Sequence, residues 1–312
     1  MPPALPPASL WETSHPPPFS LSGADIASPS LLAAAAAQVA HRNEIILLCG
    51  DGSAYASPTA LNTVLQLHAL RLHHILYVSE SPRACARLSS ALPGLACVWS
   101  SSINTSKPSA SSVLLSKWWD MRFYFYNVRK RVLMRLITQL GYGVLQTDTD
   151  VAWFANPYPA LKGGALGSHD LIVQTDLPLA NAGVLYAQRA GSPPLPEGGE
   201  VARDDPAAWV LRELIRRIHL FSFHPEVVPT LVAWAKPPYF SNADEQTLLN
   251  DVLVSSITNA SCYIFSTQAI MEAKMGGAKK NLSFRWEKTP EASRRKVIEG
   301  WLVDAVMEEE RG

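Results

Sequence analysis

The sequence predicts an α/β fold with a mostly parallel central sheet flanked by helices. Three observations carry that expectation. Between residues 44 and 100, short apolar runs alternate with amphipathic stretches in the order strand, helix, strand, helix, strand, the pattern of a sheet with helices packed on its faces. The runs are continuously apolar, as strands buried on both sides are. Hydrophobic residues make up 47% of the 312, enough for a sizeable core.

Residues 1–43, opening MPPALPPASLWETSHPPPFS, read as a Pro/Ala-rich lead-in expected to be disordered in part. The run LLAAAAAQVA at residues 31–40 falls short of the roughly 18–20 apolar residues that span a bilayer. It also lacks the basic segment that precedes the apolar centre of a secretory signal.

From Glu44 the elements follow in order. EIILLCG, residues 44–50, is a buried strand closed by Gly50, and Pro58 can sit in the first turn of a helix over 58–72. HHILYVSE (73–80) is the second strand, 82–92 a helix stopped by Pro93-Gly94, and LACVWS (95–100) the third strand. A Ser-rich loop leads to a long helix over 115–140, with Gly141 as the left-handed residue that ends it. Further strands are expected at 142–151, 170–176 and 182–188, a Gly/Pro-rich loop at 190–206, helices at 207–219 and 244–255, and a last strand at 261–266. The charged stretch 267–312 reads as a C-terminal tail, helical in part.

Composition narrows the function classes. With 27 basic and 27 acidic residues the net charge is zero, so no long-range attraction draws the chain to nucleic acid or an anionic membrane. Four cysteines, at 49, 85, 97 and 262, are scattered, without the clustering of a zinc site or a dense disulfide framework. Cys49 and Cys97 lie in apolar runs and read as small buried hydrophobes, while a Cys85–Cys97 bridge stays open for an oxidising compartment. Gly50-Asp51-Gly52-Ser53 has neither P-loop nor GxGxxG spacing, which leaves NTP hydrolysis and NAD chemistry without support.

The segment LQTDTDVAWF (145–154) carries the most chemistry. If strand geometry continues through it, Asp148 and Asp150 project to one side, at the carboxyl end of a buried strand, where open α/β sheets bind ligands. Two such carboxylates resist ionising together, and a hard divalent cation such as Mn²⁺ or Mg²⁺ relieves the conflict while also holding substrate phosphates. The bland alternative is a turn whose aspartates accept backbone hydrogen bonds.

The surrounding residues form an ordered series: Lys130, Gly141-Tyr142, the apolar strand, Asp148-Thr149-Asp150, Trp153-Phe154, Asn156-Pro157, then Asn181-Ala182-Gly183 and Glu245-Gln246-Thr247-Leu248-Leu249-Asn250. In this the chain resembles the nucleotide-diphospho-sugar transferase family of GT-A glycosyltransferases, and within it the plant and algal arabinosyl- and xylosyltransferase group. The likeness runs over residues 44–266, with Glu245 in place of the family's usual Asp. It implies a GT-A, Rossmann-like domain that transfers a sugar, with retention of configuration, from a nucleotide donor such as a UDP-sugar to a glycan or glycoprotein acceptor. It also implies Asp148 and Asp150 as ligands of Mn²⁺ or Mg²⁺, with Asp148 also contacting the nucleotide. Gly52 and Ser53 are placed to take the nucleotide because glycine admits close backbone approach, and Lys130 to contact the diphosphate. The resemblance makes Asn181 and Gly183 donor-sugar residues and assigns Asp244, Glu245 and Gln246 to the catalytic group; carboxylates at a helix start also serve as plain dipole-matching caps.

Many GT-A enzymes complete the metal shell with a late His, and no His follows His224 here. That absence motivates the rival reading, a catalytically inactive GT-A-like protein that binds nucleotide sugar or glycan. The sequons at Asn104, Asn259 and Asn281 would be usable in a secretory lumen, and the family implies a Golgi setting in cell-wall glycan synthesis. No anchor is visible in the sequence.

Overall fold

The computed structural model describes residues 5–50, 56–101, 140–176, 179–188 and 206–223, with positions 246, 249, 250, 252 and 253. The chain forms two compact units, residues 1–107 with 124–211, and residues 108–123 with 212–312.

The first unit is built on strands β1 (Glu44–Gly50), β2 (Ile75–Ser79), β3 (Cys97–Trp99), β4 (Gly143–Thr147), β5 (Leu171–Asp176) and β6 (Leu179–Ala187). They form one mixed sheet in the order β3-β2-β1-β4-β6-β5. β3, β2, β1 and β4 run parallel, and β6 is antiparallel to both β4 and β5. The expected α/β architecture is therefore present. All seven residues of β1 are buried, as a strand with parallel neighbours on both edges and helices on both faces requires. The chain steps outward from β1 to β2 and β3, then returns to place β4 on the other side of β1. That reversal makes the carboxyl ends of β1 and β4 the switch point of the sheet, the place where open α/β sheets bind ligands.

Helices α1 (Pro29–Val39), α2 (Ala56–Ala69) and α3 (Pro82–Ala91) precede the second half of the sheet, and a short α4 (Tyr158–Lys162) follows β4. α3 starts as its sequence demands. Ser81 Oγ accepts the Ala84 N–H at 3.2 Å and Pro82 takes the first turn, where its missing N–H costs nothing. A disulfide joins Cys85 of α3 to Cys97 of β3, with α-carbons 5.4 Å apart. Cys97 is thus a half-cystine rather than a simple buried hydrophobe, whereas Cys49 lies buried in β1 as expected. Gly141 has φ +70°, the left-handed conformation expected of it.

Parts of the lead-in dock on the first unit's core. Trp11 and Ile26 are buried, and α1 turns Leu32, Ala35, Ala36 and Val39 inward at helical spacing. Residues 23–26 run beside the free edge of β3, where Gly23 and Ile26 donate to the carbonyls of Cys97 and Trp99 and the Trp99 N–H donates to Ala24. Covering that edge satisfies backbone groups that would otherwise template intermolecular pairing. Scattered apolar residues between prolines suffice for this docking once a sheet edge is there to receive them.

In the second unit, the described residues are the latter part of α5 (Pro206–Phe223) and the positions around Asn250, whose Nδ2 donates to the Gln246 carbonyl at 2.7 Å, with Leu249 and Val252 buried beside it. The expected long helix 115–140, the helix 244–255 apart from these positions, the strand 261–266, the three sequons and the tail 267–312 lie outside the described residues.

Candidate functional site

β4 ends at Thr147, so Asp148 follows the strand and Thr149-Asp150 form a turn. This corrects the expectation that strand alternation carries both carboxylates to one face. The strand period stops before the pair, and the turn sets their directions instead. Asp148 is half-buried and Asp150 exposed.

Asp148 is held by the neighbouring strand. Its N–H donates to the Gly183 carbonyl at 2.6 Å, and two residues earlier the Gln146 side chain donates to the Ala182 carbonyl at 3.0 Å. Both contacts fall where β6 bulges: Val173 pairs with Leu185, but the next residue of β5, Gln174, pairs with Asn181. A bulge redirects a strand and frees backbone groups, and such bulges gather beside active sites. Within it, Asn181 Oδ1 accepts the Gly183 N–H at 2.6 Å.

Gly183 is required there by close approach. A β-carbon built on it would stand 2.7 Å from Asp148 Oδ2 and 2.8 Å from Asn181 Oδ1. The Asp148 carboxylate and the Asn181 amide oxygen therefore share the open face of Gly183. The structure brings together three residues singled out from the sequence, Asp148, Asn181 and Gly183. It does so within β6, where the Asn181 side chain closes on the N–H two residues further on, as in an Asx turn.

The turn is packed from two further directions. At the end of β1, a β-carbon on Gly50 would run into the Tyr77 hydroxyl and lie 3.2 Å from Thr149 Cγ2, so only glycine lets the turn close down on the sheet. From α2, Thr63 Oγ1 faces the carbonyls of Thr149 and Val151 at 2.8 and 3.2 Å, and Gln66 Oε1 accepts the Trp153 N–H at 2.8 Å. Sequence reasoning missed Thr63, Gln66 and Gln146. A signal for Thr63 was present: it is the polar member of the stripe Ala60, Thr63, Val64, Leu67, all four buried.

Trp153 packs against the core, as its apolar setting suggests, whereas Phe154 next to it is 90% exposed. Gly52, Ser53, Lys130, Asp244 and Glu245 lie outside the described residues. Gln246 belongs to the second unit.

The donor atoms at the turn are carboxylate and amide oxygens, the chemistry of a hard divalent cation. Among the described residues no three His, Cys, Asp or Glu side chains converge to form a complete cage. Two carboxylates fit an ion that takes its remaining ligands from water and substrate phosphates, as Mg²⁺-type ions normally do.

Residues 107–183 match the family model described as nucleotide-diphospho-sugar transferase, a span that contains the acidic turn and ends at Gly183. This segment is similar to that family over residues 107–183. Among solved structures, the chain is similar to a PaToxG Glycosyltransferase at 9% identity and a TM-score of 0.37, over 88% of this chain and 90% of that one. No curated protein matches the sequence. Among the described residues, no helix is long and apolar enough to cross a membrane.

Proposed function

We propose that this protein is a glycosyltransferase that moves a sugar from a UDP-sugar or related donor to a glycan or glycoprotein acceptor, with retention of configuration, and that Asp148 and Asp150 hold Mn²⁺ or Mg²⁺ for it. One observation supports this reading above the rest: the Asp148 carboxylate and the Asn181 amide oxygen meet over Gly183 at the carboxyl edge of the sheet, one strand from the Gly50 end of β1.

Transfer breaks the bond between the anomeric carbon and a phosphate oxygen, and negative charge grows on the departing diphosphate. A cation bound at Asp148 and Asp150 would supply positive charge to that group as Lewis acid and template. The chain's own residues position the parts. The Asp148 backbone is fixed by its bond to Gly183, which narrows the positions its carboxylate can reach. Asn181 has its Oδ1 committed to the Gly183 N–H, so its amide Nδ2 would be the atom that donates to a hydroxyl of the donor sugar. Thr147 and Gln146, fully buried beneath the site, form a dry floor. The Cys85–Cys97 disulfide supports a setting in an oxidising lumen such as the Golgi, since cytosolic thiols are kept reduced.

The test is a nucleotide-sugar panel read by thermal shift, with and without Mn²⁺. A donor at about a hundred times its Kd raises stability by about 2.7 kcal/mol, and the shift should require the metal. Asp148→Asn and Asp150→Asn should each abolish it. Unchanged affinity in both variants overturns the metal role, and binding without turnover against any acceptor would favour a non-catalytic binder.

A further inference from the structure

We propose that Thr63 and Gln66 of α2 are positioning residues of the transferase, setting the acidic turn from behind so that Asp150 is presented beside Asp148. The proposal rests on the reading of that pair as the cation and diphosphate site.

The two aspartates are held by different means. Asp148 is the last residue tied to the sheet, through its N–H to Gly183. Asp150 lies two residues beyond, exposed and past the end of the ladder. Its place is set instead by the carbonyls on either side of it, those of Thr149 and Val151, and both face the single hydroxyl of Thr63. A hydroxyl has one proton to donate, so the two carbonyls share it and the turn is drawn around it. Thr63 is only 1% exposed, and water is not at hand to replace the lost donor. One helical turn further along the same face, Gln66 takes the Trp153 N–H and so fixes the exit of the turn as well.

Packing alone does not call for a hydroxyl at position 63. Ala60, Val64 and Leu67 complete the buried stripe around it, and a valine of equal shape would extend that stripe. The oxygen's recorded partners are both carbonyls of the acidic turn. Thr63 therefore couples the helix to the geometry of Asp150 and not merely to the core.

The experiment compares Thr63→Val, which keeps the shape and loses the donor, with Thr63→Ser, which keeps the donor. Both are measured by titrating Mn²⁺ at fixed nucleotide sugar and nucleotide sugar without metal. Thr63→Val should weaken Mn²⁺-dependent binding about tenfold, leave metal-free affinity unchanged, and recover activity when Mn²⁺ is raised; Thr63→Ser should stay within about twofold of the parent. Parental Mn²⁺ affinity in Thr63→Val, or equal loss in both variants, overturns the proposal. Should Thr63→Val fail to fold, Gln66→Met reads the same property, with several-fold weaker Mn²⁺ binding expected and parental binding overturning it. Asp148→Asn is run alongside. If it abolishes Mn²⁺-dependent binding while the α2 variants do not, the positioning role alone falls; if it too binds as the parent does, the metal reading falls and takes the positioning role with it.

Discussion

At the amino end of β1 the carboxylate of Glu44 is 3% exposed, bridged to Lys162 of α4 and accepting the Tyr186 hydroxyl at 3.1 Å. The Lys162 ammonium also stands 5.4 Å from the centre of the Tyr186 ring. Burial pushes the Glu44 carboxyl up, against the opposing pull of Lys162, and burial with the nearby Glu44 charge pushes the Tyr158 and Tyr186 hydroxyls up as well. At the carboxyl end of the neighbouring strand, Asp148 is half-buried and Asp150 exposed, and the bonds that place them run through the backbone. The same sheet thus carries acids at both ends under opposite rules. Where the chain supplies its own cation and phenol, the carboxylate becomes a structural plug. Where side chains are set at a solvent edge by main-chain contacts, they can take a ligand.

Removing Lys162 should give the largest effect, because an uncompensated charge is left inside. Lys162→Met is expected to lower stability by about 3 kcal/mol in urea unfolding, while nucleotide-sugar binding per folded molecule stays at the parental level. A loss below about 1 kcal/mol would show that Glu44 takes up a proton at little cost and that the plug is not ionic.

Acid probes the same end through its histidines. His74 is fully buried with Nε2 2.9 Å from the Tyr158 hydroxyl. Burial, then the charges of His41 and His73, push it down to about 3. Burial and His73 push His68 down to about 4. Both folded values lie below the unfolded one, so the unfolded chain binds more protons whenever the pH is under about 6.5. Stability is complete above that pH and falls as pH drops towards the folded values. From His74 alone the loss by pH 5 is about 2 kcal/mol. Denaturation midpoints at pH 7 and pH 5 measure it, and His74→Gln should flatten the slope; a parental slope in that variant would assign the acid sensitivity elsewhere.

Gly183→Ala makes the smallest change to the fold and the sharpest test of the other end. Its β-carbon would enter the space shared by Asp148 Oδ2 and Asn181 Oδ1. Stability should fall by about 1 kcal/mol, while Mn²⁺-dependent donor binding is lost. Retained binding would mean that the two oxygens need not meet over Gly183.

Much of the sheet was legible because period and punctuation agree. EIILLCG is β1 to the residue, and β2, β3 and β5 fall inside the runs expected for them. β4 shows where that reading stops. The expected run 142–151 is apolar and then acidic, yet the strand ends at Thr147, because Asp148 takes its partner from a bulge in β6 and the following residues take theirs from α2. The docked lead-in was not legible either: prolines mark it as irregular, and irregular chain can still bury Trp11 when a ring such as Tyr158 lies 5.3 Å away to stack on it.

The sequence by itself determined the strand–helix alternation, the position of two aspartates just past a buried strand and the identity of the residues that accompany them, since these depend on local period, turn chemistry and order along the chain. Only the tertiary structure decided that Asp148 and Asn181 meet over Gly183, that Thr63 holds the turn and that Glu44 is sealed by Lys162. Those contacts join residues far apart in the chain, and no local propensity encodes a meeting that depends on which strands pair and where a strand bulges.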